Sequence, residues 1–148
     1  VFDRFLVSRR TRFRPIRLAS RQDGIKPVIR GLREGLPLFF LPDMDYGARD
    51  AIFAPFFGVP AATISALSRL AAITGAAVVP VTITQLSAGR GYQVRFQSAW
   101  ENFPGSDIAT DTRRMNEFVE HCVREAPEQY YWVHKRFKTR PPGEERIY

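Results

Sequence analysis

The sequence predicts an α/β fold on three observations. Segments with the i, i+3, i+4 spacing of an amphipathic helix alternate with short apolar or period-two runs that suit strands. The last third of the chain is helical in pattern. The stretch Leu38–Thr63, LFFLPDMDYGARDAIFAPFFGVPAAT, carries an apolar run that ends abruptly in two carboxylates, Asp43 and Asp45. Open α/β sheets place their ligand sites beyond strand ends in this way. At 148 residues, 45% apolar and 25% charged, the chain is long enough for one domain with a core. Neither a repeat nor a linker divides it, so 1–148 is read as a single domain.

In order along the chain, Arg12–Ala19 is predicted as a strand broken by Pro15, near a sheet edge. Ile25, Val28, Ile29 and Leu32 mark a short helix, with Pro27 in its first turn and Gly35 as its stop. Leu36–Leu41 follows as a buried strand. Phe53–Phe57 is a short extended segment limited by Pro55, and Ala61–Thr74 a helix running from Pro60 to Gly75. Ala76–Gln85 is an apolar strand in which Pro80 sits awkwardly. Ala88–Gly91 is turn sequence and Tyr92–Phe96 alternates, so the pair reads as a hairpin. Ile108, Met115, Phe118, Val119, Cys122 and Val123 fall on one face of a helix that Pro127 ends, with arginines and acids opposite. Glu128–Phe137 is read as a further helix, and Thr139–Tyr148 as an extended polar tail.

The net charge of +7 is unevenly spread. Seven arginines fall in the first 21 residues (Arg4, Arg9, Arg10, Arg12, Arg14, Arg17 and Arg21), opposed only by Asp3. Lys135, Arg136, Lys138 and Arg140 form a second cluster. Such patches suit nucleic acid, an anionic membrane surface or a phosphorylated substrate, against the plainer reading of a solvated face. Guanidinium forks favour phosphate or carboxylate. A basic nucleic-acid module is the alternative reading, but the aromatics cluster in apolar blocks and do not interleave with the cations as a stacking platform would. No run of 18 apolar residues exists to span a bilayer, and no signal-peptide pattern is present. Cys122 is the single cysteine, so no intrachain disulfide forms, and its place on an apolar helix face reads as packing. Val1 followed by Phe2-Asp3-Arg4-Phe5 reads like mid-domain sequence, so the chain is expected to begin inside a larger protein.

The Asp43-x-Asp45 pair has three readings. It could bind Mg²⁺, position substrate hydroxyls and a neighbouring arginine, or act structurally, with Asp43 capping a turn and Asp45 paired to Arg49. The metal reading is weak, because a hard cation wants more oxygen ligands than this sequence clusters. Of the two histidines, His121 reads as a surface residue and His134 as a packed, hydrogen-bonded one. Neither is followed five residues later by an acid: the positions hold Ala126 and Thr139. No nucleophile elbow, Walker loop or zinc spacing is present.

Three blocks carry a family resemblance. LPDMDYGARDAIFAPFFGVPAAT at Leu41–Thr63, TGAAVVPV at Thr74–Val81 and APEQYYWVHKRFKTRPPGE at Ala126–Glu144 are similar, in order and spacing, to the bacterial lipid A biosynthesis acyltransferases of the lauroyl/myristoyl type. The likeness covers essentially the whole chain. It implies part of a glycerolipid-acyltransferase-like fold, a mixed sheet flanked by helices. It also implies acyl transfer from acyl carrier protein to a hydroxyl on an acyl chain of a phosphorylated, Kdo-bearing lipid A precursor. The implied location is the cytoplasmic face of the inner membrane, against anionic lipid, with no nucleic acid as partner and no cofactor or metal. The family's catalytic His-x4-Asp/Glu motif and its membrane anchor are expected upstream of Val1. The chain then reads as the C-terminal half of the enzyme, inactive alone, with no catalytic residue of its own. Arg10 and Arg21, which match basic positions of the family block, become the expected anion contacts. Asp43, Asp45 and Arg49 are expected to shape the acceptor site. Phe53, Phe56 and Phe57 are candidates for an acyl channel, with plain core as the competing reading.

Overall fold

The computed structural model describes residues 2–14, 16–19 and 23–148. The chain divides into two compact units, Val1–Leu38 and Phe39–Tyr148.

The first unit holds two helices, α1 (Phe2–Thr11) and α2 (Lys26–Arg33). Arg9 and Arg10 lie in the last turn of α1, where cations complement the helix dipole. Pro27 sits in the first turn of α2, as expected, where the missing N–H costs no bond. The helix closes in a Schellman arrangement. Gly35 N–H donates to Leu32 O at 3.0 Å and Leu36 N–H to Gly31 O at 2.9 Å, with Gly35 at φ 82°. The Arg17–Glu34 ion pair is largely exposed and contributes little.

Two expected strands are absent. Instead of a strand over 12–19, the chain leaves α1 through a bend at 12–14, and 16–19 carry no ladder. Nor do 36–41 form a strand; Leu38, Leu41 and Phe39, the last 70% exposed, face outward. An apolar run makes a buried strand only when neighbours supply its ladder, and no described strand lies alongside either segment.

The second unit is built on a hairpin of β1 (Ala51–Phe56) and β2 (Val59–Ile64), paired antiparallel with Phe56 opposite Val59. Phe57 and Gly58 make the two-residue turn with φ 49° and 77°, the positive pair that a type I′ hairpin requires. The helix expected from Ala61 therefore starts later, as α3 (Ala66–Thr74). Val59, Thr63 and Ile64 are β-branched and spend their backbone bonds on β1. Gly75, at φ 69°, ends α3 as expected.

The second hairpin pairs β3 (Val81–Gln85) with β4 (Tyr92–Phe96) through a 3₁₀ turn at Ser87–Gly89. Pro80 stands just outside the ladder and contributes its carbonyl, which accepts from Gln97 N–H at 3.0 Å. The architecture is α/β, with small sheets flanked by helices, and each sheet is a two-stranded antiparallel pair.

The long helix α4 (Ile108–Glu125) starts at Asp107, whose carboxylate accepts from the N–H groups of Ala109 and Thr110 at 3.2 and 2.9 Å. Pro127 follows its end. α4 packs on β1, and the core gathers Ala54, Phe56, Ala61 and Ala62 of the hairpin, Leu70 and Ala71 of α3, and Met115 and Val123 of α4. The inward face of α4 is not purely apolar, as the sequence suggested: Asp111, Thr112, Asn116 and Glu120 are buried on it. The expected helix over Glu128–Phe137 is replaced by a 3₁₀ turn, Pro127–Gln129, and a series of tight turns. Tyr130, Tyr131, Trp132 and Val133 are weak helix formers. Gln129 spends its amide on β3, accepting from Gln85 N–H at 2.8 Å and donating to Gln85 O at 3.1 Å.

Candidate functional site

The two carboxylates lie on the loop that leads into β1, and the C-terminal segment straps across them. Asp45 is 5% exposed. Its carboxylate accepts from Thr139 N–H at 2.8 Å, Thr139 Oγ1 at 2.9 Å and Gly47 N–H at 2.8 Å. Its own N–H donates to His134 Nε2 at 3.0 Å. Burial acts to raise the Asp45 pKa, but the bonds from Thr139 and Gly47, together with the Lys138 charge, outweigh it and hold the group below its ordinary value. Arg49 is not its partner. That side chain is 96% exposed, and its ion pair, at 3.8 Å, is with Asp50.

The strap also carries a buried cation. Arg136 is 2% exposed and donates through Nη1 to Ala62 O at 2.9 Å and through Nη2 to Thr63 Oγ1 at 2.7 Å. Its guanidinium lies 5.2 Å from the Phe56 ring centroid. Asn116 of α4 closes the network, donating to Pro55 O at 2.9 Å and Thr63 Oγ1 at 3.2 Å, with its Oδ1 3.5 Å from Arg136 Nη2. Burial lowers the Arg136 pKa, while Tyr130, Asp43 and Asp45 oppose the shift. Arg140 adds a second strap contact, donating to Pro60 O at 2.7 Å and pairing with Glu144.

Asp43 is half-buried, and its charge acts on Tyr130 and Arg136. Burial first, then the Asp43 carboxylate, push the Tyr130 phenol up to about 12 against the opposing Arg136 charge, so Tyr130 stays neutral. Its hydroxyl makes no well-formed hydrogen bond.

The three phenylalanines do not line one passage. Phe56 is 1% exposed, with Phe57, Tyr130 and Phe137 at centroid distances of 4.9, 6.1 and 6.1 Å. Phe53 points to the opposite face of β1 and lines an open cleft of about 190 Å³ with Ile52, Pro55, Thr110 and Arg113. Phe57 projects from the hairpin turn beneath Arg124, whose guanidinium lies 4.9 Å from its ring. Phe57 N–H donates to Glu120 Oε1 at 2.9 Å, tying the turn to α4.

Arg10 is exposed on α1, and Arg21 lies outside the described residues. His121 is exposed, 3.4 Å from Glu125, and His134 is the packed, bonded residue that its surroundings suggested. Cys122 is half-buried; burial, then Glu125, raise its thiol pKa and suppress its reactivity. Among the described residues no three His, Cys, Asp or Glu side chains gather as metal ligands, and no helix is long and apolar enough to cross a membrane. Besides the Thr139 clamp on Asp45, the network of Arg136, Asn116 and Thr63 was missed in the sequence. Its one local sign is Asn116, one turn along α4 from Thr112 and one turn before Glu120, a polar row that a solvated face explains equally well.

The family model of the bacterial lipid A biosynthesis acyltransferases matches residues 1–139, which include Asp43, Asp45, Asn116, Arg136 and Thr139. The chain belongs to that family. Three lipid A acyltransferases of Escherichia coli strain K12 are among its relatives. The lauroyltransferase is 40% identical over 127 residues, covering 85% of this chain and 41% of the relative. The palmitoleoyltransferase is 35% identical over 143 residues, covering 96% and 46%. The myristoyltransferase is 38% identical over 148 residues, covering 100% and 46%. The chain thus spans less than half the length of these lipid A acyltransferases.

Proposed function

We propose that the protein carrying this chain transfers a fatty acyl group from acyl carrier protein to a hydroxyl of a phosphorylated, Kdo-bearing lipid A precursor, at the cytoplasmic face of the inner membrane. The family match over residues 1–139 carries this reading. The relatives are named for lauroyl, palmitoleoyl and myristoyl transfer, so the acyl length is left to experiment.

The residues of this chain fit a scaffold and acceptor role. A general base must offer a free lone pair to the acceptor hydroxyl. His134 spends Nε2 on the Asp45 N–H, and His121 stands exposed on α4 without an acid five residues on. The reading therefore places the base in a His-x4-Asp/Glu motif outside residues 1–148, and the chain alone is expected to transfer nothing. Arg10 and Arg21 contact the precursor's phosphates and carboxylates, and Arg49 helps to shape the acceptor site. Asp43 faces the acceptor, Asp45 positions it through the strap, and Phe53 and Phe57 meet acyl chains, while Phe56 packs the core beneath.

The test uses the protein expressed from its complete reading frame, with the precursor and lauroyl-, palmitoleoyl- and myristoyl-loaded carrier protein. A product heavier by one acyl group is expected. No product with any of the three donors would overturn the reading.

A further inference from the structure

The strap carries one feature that its packing leaves largely exposed. Between two anchored residues, half-buried Tyr130 and buried Arg136, three successive apolar side chains face outward. Tyr131 is 68% exposed, Trp132 59% and Val133 76%. Apolar side chains scattered singly on a surface need no explanation, but three in a row on one turn do.

The turn is held in shape from within. Trp132 N–H donates to Tyr130 O at 2.9 Å and His134 N–H to Tyr131 O at 3.0 Å. The Trp132 indole N–H donates to Pro127 O at 2.7 Å, and the ring lies edge-on to Tyr130 at 4.9 Å. The backbone is thus fixed with its apolar side chains pointing out, so little ordering entropy is lost when they are covered.

The charge around the turn selects the occupant. Lys135 and Lys138 are exposed and make no ion pair among the described residues. Lys135 Nζ lies 5.6 Å from the Tyr148 ring, and Lys138 stays close enough to Asp45 to lower its pKa. Aromatic rings beside free lysines are the composition of a membrane–water interface, where Tyr and Trp sit at headgroup level and lysines meet anionic lipid. A protein partner's apolar surface would leave both ammonium groups to find carboxylates of its own.

We propose that Tyr131, Trp132 and Val133 form a preformed anchor that enters the headgroup region of an anionic bilayer, with Lys135 and Lys138 on its lipid phosphates. This rests on the membrane location proposed above and adds the contact point. Docked there, the turn would bring the strap, and with it Asp45 and Asp43, to the surface on which a lipid acceptor lies.

The test attaches an environment-sensitive fluorophore at Val133→Cys, in a background where Cys122 and every other cysteine of the complete protein are replaced by Ser. The protein from the complete reading frame is reconstituted with vesicles of phosphatidylethanolamine and phosphatidylglycerol, or of phosphatidylcholine alone. Expected are a blue-shifted emission and quenching by nitroxide lipid labelled near the headgroup, with anionic vesicles only. Lys135→Gln and Lys138→Gln should each lower the lipid-embedded fraction about fivefold at low salt. Solvent-like emission in both vesicles overturns the proposal. So does a blue shift without nitroxide quenching, which would mean that protein covers the turn. Acyl transfer measured in parallel on detergent-dispersed precursor separates the two ideas: transfer with a solvent-exposed label sinks the anchor alone, whereas an embedded label without transfer sinks the enzymatic reading alone.

Discussion

Thr139 closes over Asp45 with both its backbone N–H and its hydroxyl, at 2.8 and 2.9 Å, across 94 residues of sequence. The pair clamps the C-terminal strap to the loop before β1. Hydrogen bonds to a charged acceptor contribute about 1.5–3 kcal/mol each. Asp45→Asn should therefore cost about 2 kcal/mol, and Thr139→Val, which keeps the N–H bond, about 1 kcal/mol, read by urea unfolding of the complete protein. The native pKa of Asp45 lies below its unfolded value, so its stabilising effect is present above about pH 4 and is lost as pH falls through the native pKa. Wild type should lose stability on acidification more steeply than Asp45→Asn. Parallel acid profiles would show that Asp45 is not held ionised by the strap.

Arg136 is the buried counterpart of that clamp. Removing its side chain would take this donor from buried Ala62 O and leave Thr63 Oγ1 to Asn116 alone, and an acceptor left unsatisfied in the core costs about 1–3 kcal/mol. Arg136→Lys should lose most of this, because an ammonium cannot fork to two acceptors in the guanidinium's geometry. Since Asn116 shares Thr63 with Arg136, the double variant Arg136→Met/Asn116→Leu should fall short of additivity by about 1 kcal/mol or more. Strict additivity would mean the two residues act independently.

Local pattern made some elements legible in the sequence, and pairing hid others. The stop of α2 at Gly35, the end of α3 at Gly75 and the β3–β4 hairpin could all be read because glycine conformation and period-two alternation are local signals. The runs at 36–41 and at Glu128–Phe137 misled, because an apolar run says that burial is available but not what supplies the ladder or the cover. The first hairpin was half seen. Phe57 at φ 49° is a strained turn position that no propensity announces, so the pattern of β2 runs into that of the following helix. Of the site, the Asp43-x-Asp45 loop stood out as chemistry ending a strand-like run. Its partners come from residues 134–139, which are distant in sequence.

Asp111 is a second buried carboxylate, serving the loop before α4. It accepts from Ser68 Oγ and, at 3.0 Å, from Gly105 N–H, linking α3 to that loop. Asp111→Ala would leave the buried Ser68 hydroxyl without its partner and hand the exposed Gly105 N–H to water, at a cost of about 1–3 kcal/mol. The drop should appear in the unfolding midpoint with the denaturant slope unchanged. A change below about 0.5 kcal/mol would show that water replaces the carboxylate.

Tyr130 tests the opposite case, a buried hydroxyl without a well-formed bond. Its hydroxyl has no well-formed partner and lies in the field of Asp43. Tyr130→Phe keeps the ring against Phe56 and removes an unsatisfied group, so stability should stay within about 0.5 kcal/mol of wild type or rise. A loss of 1.5 kcal/mol or more would mean that the hydroxyl is bonded in solution, with Asp43 as the acceptor to examine next.

Asp43 is the half-buried carboxylate of the pair, and it lies against Tyr130 of the strap. Unlike Asp45, it takes no part in the Thr139 clamp, and it stands half-buried beside a neutral phenol and the buried Arg136. If it meets the acceptor, Asp43→Asn should lower kcat/KM for acyl transfer by about tenfold or more, the loss expected of one charge-assisted hydrogen bond, while leaving the unfolding midpoint nearly unchanged. If Arg10 meets the acceptor's anions, Arg10→Ala should raise the acceptor KM with kcat retained, because an exposed cation would bind ground state and transition state alike. Raising salt should shrink the Arg10 effect and spare that of Asp43, since exposed charges are screened and half-buried ones much less so. Full activity in both variants at low acceptor concentration would remove these residues from the acceptor site and leave the chain a purely structural half.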